Sequence, residues 1–208
     1  MPVNFDTPLP TEKAVIVSSE SDEVRYTCAM LDFLEASGLL EGRNELVNGR
    51  IYSRMGQNLR HSQTVSRLMR YLETIELFQG ERVVFDTNLT IADSEQRPAP
   101  DVLVMKEPLM EGRPAGSDLY LAIEVSDTTH TRDFAEKPPT YSHAGIAEYW
   151  ILDLSGRTLT VFRDPNAELG TWETRITLAE TKTVAPESAP DAVVKVADLL
   201  PPIMPKVF

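Results

Sequence analysis

A glutamate stands inside a strand-length apolar run. Residues 119–126 read LYLAIEVS, with only Glu124 and Ser126 polar, and residues 101–105 read DVLVM. Continuous apolar runs of this length, without alternation, describe strands covered on both faces of a sheet. Helices must then lie on both sides of that sheet. An ionised carboxylate in such a strand is costly to bury alone. Glu124 therefore calls for a partner, a metal, or an exit to solvent at the strand end. Asp101 opens the neighbouring apolar run directly after Pro100.

The rest of the chain supplies the layers. Residues 1–23 are polar, with scattered prolines and acids, and read as a loosely docked arm. From Val24 a helical pattern begins, with Tyr26, Met30, Phe33 and Leu34 at helical spacing and Gly38 as its stop. NELVNGRIYSR (44–54) reads as two short strands joined at Asn48-Gly49. HSQTVSRLMRYLETIELF (61–78) is a strong amphipathic helix, and RVVFDTNLTI (82–91) a strand. Residues around 130–146 are weakly helical, with Pro138 and Pro139 suited to a first turn. EYWILDL is a buried strand whose hairpin partner is TLTVFR, and TWETRITL reads as a further strand pair. The division expected is an arm (1–23), a core (24–165) and a C-terminal extension packed on the same domain (166–208). The fold class is α/β: a mixed central sheet flanked by helices.

Composition narrows the function classes. The 208 residues carry a formal charge of −12, against the basic footprint usual for nucleic-acid binders. No apolar run reaches membrane-spanning length, and no secretory leader is visible. The single cysteine, Cys28, reads as packing and suits a reducing cytoplasm. Three histidines without paired spacing do not make a zinc site.

If the strands carrying Asp101 and Glu124 are neighbours, their carboxylates converge, as a hard divalent cation requires. Each acid also has an ordinary structural reading: Asp101 as a turn cap, Glu124 as an ion-pair partner of an arginine or lysine. An arginine seated between them in the cation's place would argue against a hydrolytic site. Arg54, Arg60, Arg67 and Arg70 lie around the hairpin and the second helix, where some can share a face and contact phosphates.

The ordered set NELVNGRIYSR, RHSQTVSRLMRYL, PAPDVLVM, LYLAIEVSD, RDFAEK and AGIAEYWILDLSGRTLTVFR, collinear from Tyr26 to Arg163, resembles the Uma-type restriction-endonuclease family of the PD-(D/E)XK nuclease superfamily. The resemblance implies a restriction-endonuclease-like core and a metal-dependent DNA endonuclease using Mg2+ or Mn2+. It places the two acids of the signature on Asp101 and Glu124, with the Val125 carbonyl as a further metal ligand. The superfamily lysine position holds Ser126, and Lys137 of RDFAEK is expected to substitute. Glu45 of the hairpin is expected to add a carboxylate, and His61 to touch the site or the DNA backbone alongside Arg54, Arg60 and Arg67. Pro138 directly after Lys137 favours an extended conformation there, which would point the lysine elsewhere. Superfamily members often act as dimers, so a homodimer is an expectation by analogy. The competing function is a nuclease-fold protein without catalysis, serving as a binding or scaffold module.

Overall fold

The computed structural model describes residues 7–10, 15–17, 24–54, 58–91, 95–127 and 130–203. A short strand β1 (Val15–Val17) pairs antiparallel with β2 (Val24–Tyr26). The helix expected from Val24 begins later: α1 spans Cys28–Ala36, capped by the Thr27 hydroxyl, which accepts from the Met30 N–H. Val24 and Tyr26 are therefore strand residues, although their spacing with Met30 suited a helix. The cap at Thr27 decides where the helix starts.

The hairpin forms as the Asn-Gly pair dictates. β3 (Asn44–Val47) and β4 (Arg50–Ser53) flank Asn48 and Gly49, both at positive φ, the conformation a two-residue turn of this hand needs. α2 (Leu59–Glu73) follows, capped by Asn58. Then come β5 (Val83–Phe85), shorter than the alternating run suggested, β6 (Val102–Met105) and β7 (Leu119–Ser126).

A π-helical turn (Arg132–Glu136) runs directly into α3 (Lys137–His143). Pro138 and Pro139 have no N–H to give the carbonyls four residues back. The Lys137 N–H instead bonds the Arg132 carbonyl five residues back. Lys137 stays helical (φ −74, ψ −38) despite the proline after it, contrary to the extended conformation expected there.

β8 (Glu148–Asp153), β9 (Thr158–Asn166) and β10 (Thr171–Ala179) complete one six-stranded sheet, in the order β10-β9-β8-β7-β6-β5. Only β7 and β8 are parallel, joined by the crossover through α3. The TWETRITL segment is one long edge strand paired with β9, not a strand pair of its own. A small ladder, β11 (Thr183–Val184) with β12 (Val194–Lys195), leads into α4 (Val196–Leu199).

Alternation sorts the side chains. Val102, Val104, Leu121, Ile123, Val125, Trp150 and Leu152 face Leu68 and Leu72 of α2 and Val196 and Leu199 of α4. Leu103, Met105, Ala122, Ile151 and Tyr149 face Tyr141 of α3. Both faces are covered, as the apolar runs required. Among the described residues no helix is long and apolar enough to cross a membrane.

Candidate active site

The β6–β7 register sets the site. Val102 pairs with Ile123 and Leu103 with Ala122, so one step further places Asp101 across from Glu124. The Asp101 carbonyl accepts from the Asp86 N–H on the β5 side, so this is the closer, non-hydrogen-bonded kind of pair. Both side chains fall on the α3 face, where β6 begins and β7 continues. Two steps further the register sets Pro100, which has no N–H, across from Val125. The Val125 N–H donates instead to Asp101 Oδ2 at 2.7 Å. In a strand the C=O points to the same edge as the N–H. The Val125 carbonyl thus points to the Asp101 side as well.

Asp101 is buried and fully engaged. Arg54 Nη2 donates to Oδ1 at 2.6 Å, and His61 Nε2 lies 3.1 Å from Oδ2. Asn58 fixes that histidine by accepting its backbone N–H at 3.0 Å, and His61 Nδ1 is buried with no hydrogen-bond partner among the described residues. Burial would raise the Asp101 carboxyl, but the His61 hydrogen bond and the Arg54 charge hold it well below the ordinary range.

Glu124 receives Lys137 Nζ at 2.8 Å and the Tyr141 hydroxyl at 2.6 Å, both on Oε1. Lys137 also reaches Glu45 at 3.1 Å and Asp133 at 3.8 Å. Glu45 in turn accepts the Ala99 N–H at 3.3 Å and lies 3.3 Å from Arg132. Burial, opposed by Lys137 and reinforced by Asp101, Asp133 and Glu45, pushes Glu124 up to about 8. Burial would depress Lys137, but Glu124, Glu45 and Asp133 carry it above the ordinary lysine range.

The structure thus gathers Asp101, Glu124, Lys137, Glu45 and His61 in one buried cluster. Lys137 Nζ arrives from α3 at the acid two residues before Ser126, whose hydroxyl is buried with no hydrogen-bond partner among the described residues. The arginines separate. Arg54 is buried between Asp86 and Asp101 rather than lying on an open strip. Arg60 is half exposed, donating to the Leu154 carbonyl at 3.1 Å and lying 3.8 Å from Asp127. Arg67 is two helical turns further along the same face of α2.

Two arginines enter the site: Arg54 pairs with Asp86 and Asp101, and Arg132 lies 3.3 Å from Glu45. Residues that pattern reading missed are Arg54 as the Asp101 partner, Asp133, Arg132 and Tyr141. Asp133 and Tyr141 stand four residues before and after Lys137, a helical spacing that was available as a signal.

The donor chemistry fits a hard divalent cation. Four buried acids, Asp101, Glu124, Glu45 and Asp133, meet Lys137, Arg54, His61 and the partly exposed Arg132. Among the described residues no three acid, histidine or cysteine side chains are already grouped for a metal. Two carboxylates with a backbone oxygen is nonetheless a set that Mg2+ accepts, the remaining positions going to water and phosphate.

Residues 32–197 match the model of the Uma2 family, described as "Putative restriction endonuclease". The fold is similar to that of a crystal structure described as a putative nuclease belonging to DUF820 from Anabaena variabilis ATCC 29413. The TM-score is 0.55 at 14% identity, over 79% of this chain and 95% of that one. At that identity the likeness speaks for the fold. No curated protein sequence matches the chain. With a family match over most of its length, and the mixed sheet of a nuclease fold beneath it, the chain belongs to the Uma2 family.

Proposed function

We propose that this protein is a metal-dependent endonuclease that hydrolyses phosphodiester bonds in DNA. The observation that carries the reading is the cross-strand placement of Asp101 and Glu124 on one face, with Lys137 delivered to Glu124 from α3. Family membership supports it. Asp101, Glu124 and the Val125 carbonyl would hold Mg2+ or Mn2+, which supplies Lewis acidity at the phosphoryl group when bound.

The chain's own groups do the rest. Lys137 remains an ammonium because three acids surround it. It therefore serves as a fixed positive charge and hydrogen-bond donor toward developing phosphoryl charge, not as a base. Glu45 and Asp133 hold that ammonium, and Tyr141 sets the rotation of the Glu124 carboxylate. Arg60 and Arg67, along one face of α2, would take backbone phosphates beside the cleft.

The test is nicking of supercoiled DNA in Mg2+ or Mn2+. Wild type cuts, while Asp101→Asn and Glu124→Gln fall to background with their circular dichroism retained. A wild type inert toward DNA across both ions contradicts the proposal.

A second reading has one specific observation in its favour. Arg54 and Lys137 already neutralise the two carboxylates, as in a nuclease fold kept only for binding. Melting temperature titrated against Mn2+ separates the two: a rise lost in Asp101→Asn removes the binding-module reading, and no rise supports it.

A further inference from the structure

We infer that Arg54 is the site's own placeholder cation: a divalent ion entering at Asp101 displaces its guanidinium, and Asp86 retains it. This rests on the metal-site reading of Asp101 and Glu124. The geometry around Arg54 has two unequal ends. Nη2 makes a good bond to Asp101 Oδ1 at 2.6 Å. At the other end Nε faces Asp86 Oδ1 at 3.1 Å, yet both atoms are buried and neither has a hydrogen-bond partner among the described residues. A donor and an acceptor thus stand within reach of each other but misaligned, at a cost in desolvation. Turning the guanidinium away from Asp101 is the movement that can align them.

The backbone allows that turn without unfolding the hairpin. The Arg54 N–H is anchored to the Arg43 carbonyl at 2.8 Å. Asp86 is itself held, with its N–H on the Asp101 carbonyl and Arg43 against its other carboxylate oxygen. The catching acid therefore stays in place when the arginine leaves Asp101.

Charge makes the exchange selective. A guanidinium does not deprotonate in proteins, so it cannot yield to an incoming cation by losing its charge. A monovalent ion replacing it at Asp101 gains nothing in Coulomb energy. A divalent ion doubles the charge facing Asp101 and Glu124. Arg54 thereby sets the threshold for ion affinity and bars Na+ and K+ from the site.

Calorimetric titration of the full-length chain with Mn2+, without nucleic acid, tests this. Wild type, Arg54→Gln, Asp86→Asn and the double variant are compared, each checked for folding by its melting transition. Arg54→Gln is expected to bind Mn2+ at least tenfold more tightly than wild type. Asp86→Asn is expected to weaken binding in the wild-type background and to have no effect once Arg54 is gone. Equal or weaker binding by Arg54→Gln overturns the inference while leaving the metal site standing. An Asp86→Asn effect of the same size in both backgrounds also overturns it, since that is simple loss of charge. Mn2+ binding only in the two variants that lack Arg54 makes the arginine a permanent occupant and overturns the exchange. Absence of binding in every variant removes the metal-site reading itself.

Discussion

Asp101 and Glu124 are chemically alike and six-stranded-sheet neighbours, yet their surroundings push them in opposite directions. Asp101 sits among donors, with Arg54, His61 and the Val125 N–H on its oxygens. Removing it strands a buried guanidinium. Asp101→Ala is therefore expected to cost about 3–5 kcal/mol, the range for breaking one side of a buried pair, measured by urea denaturation. Glu124 is raised to about 8 from 4.5 chiefly by burial, which Lys137 opposes and the acids Asp101, Asp133 and Glu45 reinforce. The folded state keeps a proton there that the unfolded chain has already released above its ordinary value. The stability this group contributes is thus full at low pH and declines as pH rises toward about 8. Glu124→Gln lacks that decline. Relative to wild type it should gain melting temperature progressively between those two values; parallel curves contradict the assignment. The acids themselves were legible, one after a proline and one inside an apolar run. Lys137, the cation on Glu124, was expected from the family resemblance; the seat of Arg54 on Asp101 was not legible, because the two meet only through the packing of the hairpin against the sheet.

At the level of elements, the β6–β7 register and the π-helical entry to α3 position the chemistry. The register follows from where each apolar run starts, which is visible in the sequence. The π turn is closed by the Lys137 N–H on the Arg132 carbonyl, directly before Pro138 and Pro139, which have no N–H to add to the ladder. The proline rule suggested that Lys137 would turn away, and the wider turn is the reason it does not. Replacing both prolines with alanine restores two donors and lets an α ladder form across residues 132–143. That shift rotates Lys137 relative to Glu124. Mg2+-dependent nicking is expected to fall sharply, with little loss of melting temperature, since prolines in a first turn contribute little and alanine is the best helix former. Retained nicking would show that the π turn is incidental. The start of α1 shows the limit of periodicity: Val24 and Tyr26 suited the helical spacing, but the Thr27 cap and the pairing with β1 claimed them for a strand.

Across the whole molecule, the segment after β10 is tied to the core by more than proximity. The buried Glu148 carboxylate accepts from Trp150, Arg163 and the Glu187 N–H, while Arg163 also donates to the Ala185 carbonyl. α4 adds Val196 and Leu199 to the cluster around α2. Residues 166–208 were read as an extension on the same domain, and these contacts motivate a direct check. Deleting residues 183–208 uncovers Leu68 and Leu72 of α2 and should abolish a cooperative melting transition. A chain that melts cooperatively without them has a smaller core than proposed. The net charge of −12 also bears on partner binding. With few cations facing phosphate, DNA association should strengthen on adding Mg2+ and depend only shallowly on salt, measured by fluorescence anisotropy.

Anomalous diffraction from Mn2+-soaked crystals locates any ion held between the two acids. One peak is expected about 2 Å from carboxylate oxygens of both Asp101 and Glu124, with the Arg54 guanidinium no longer on Asp101. A fully soaked crystal with no peak between those two side chains, and Arg54 still seated on Asp101, would contradict the metal-site reading.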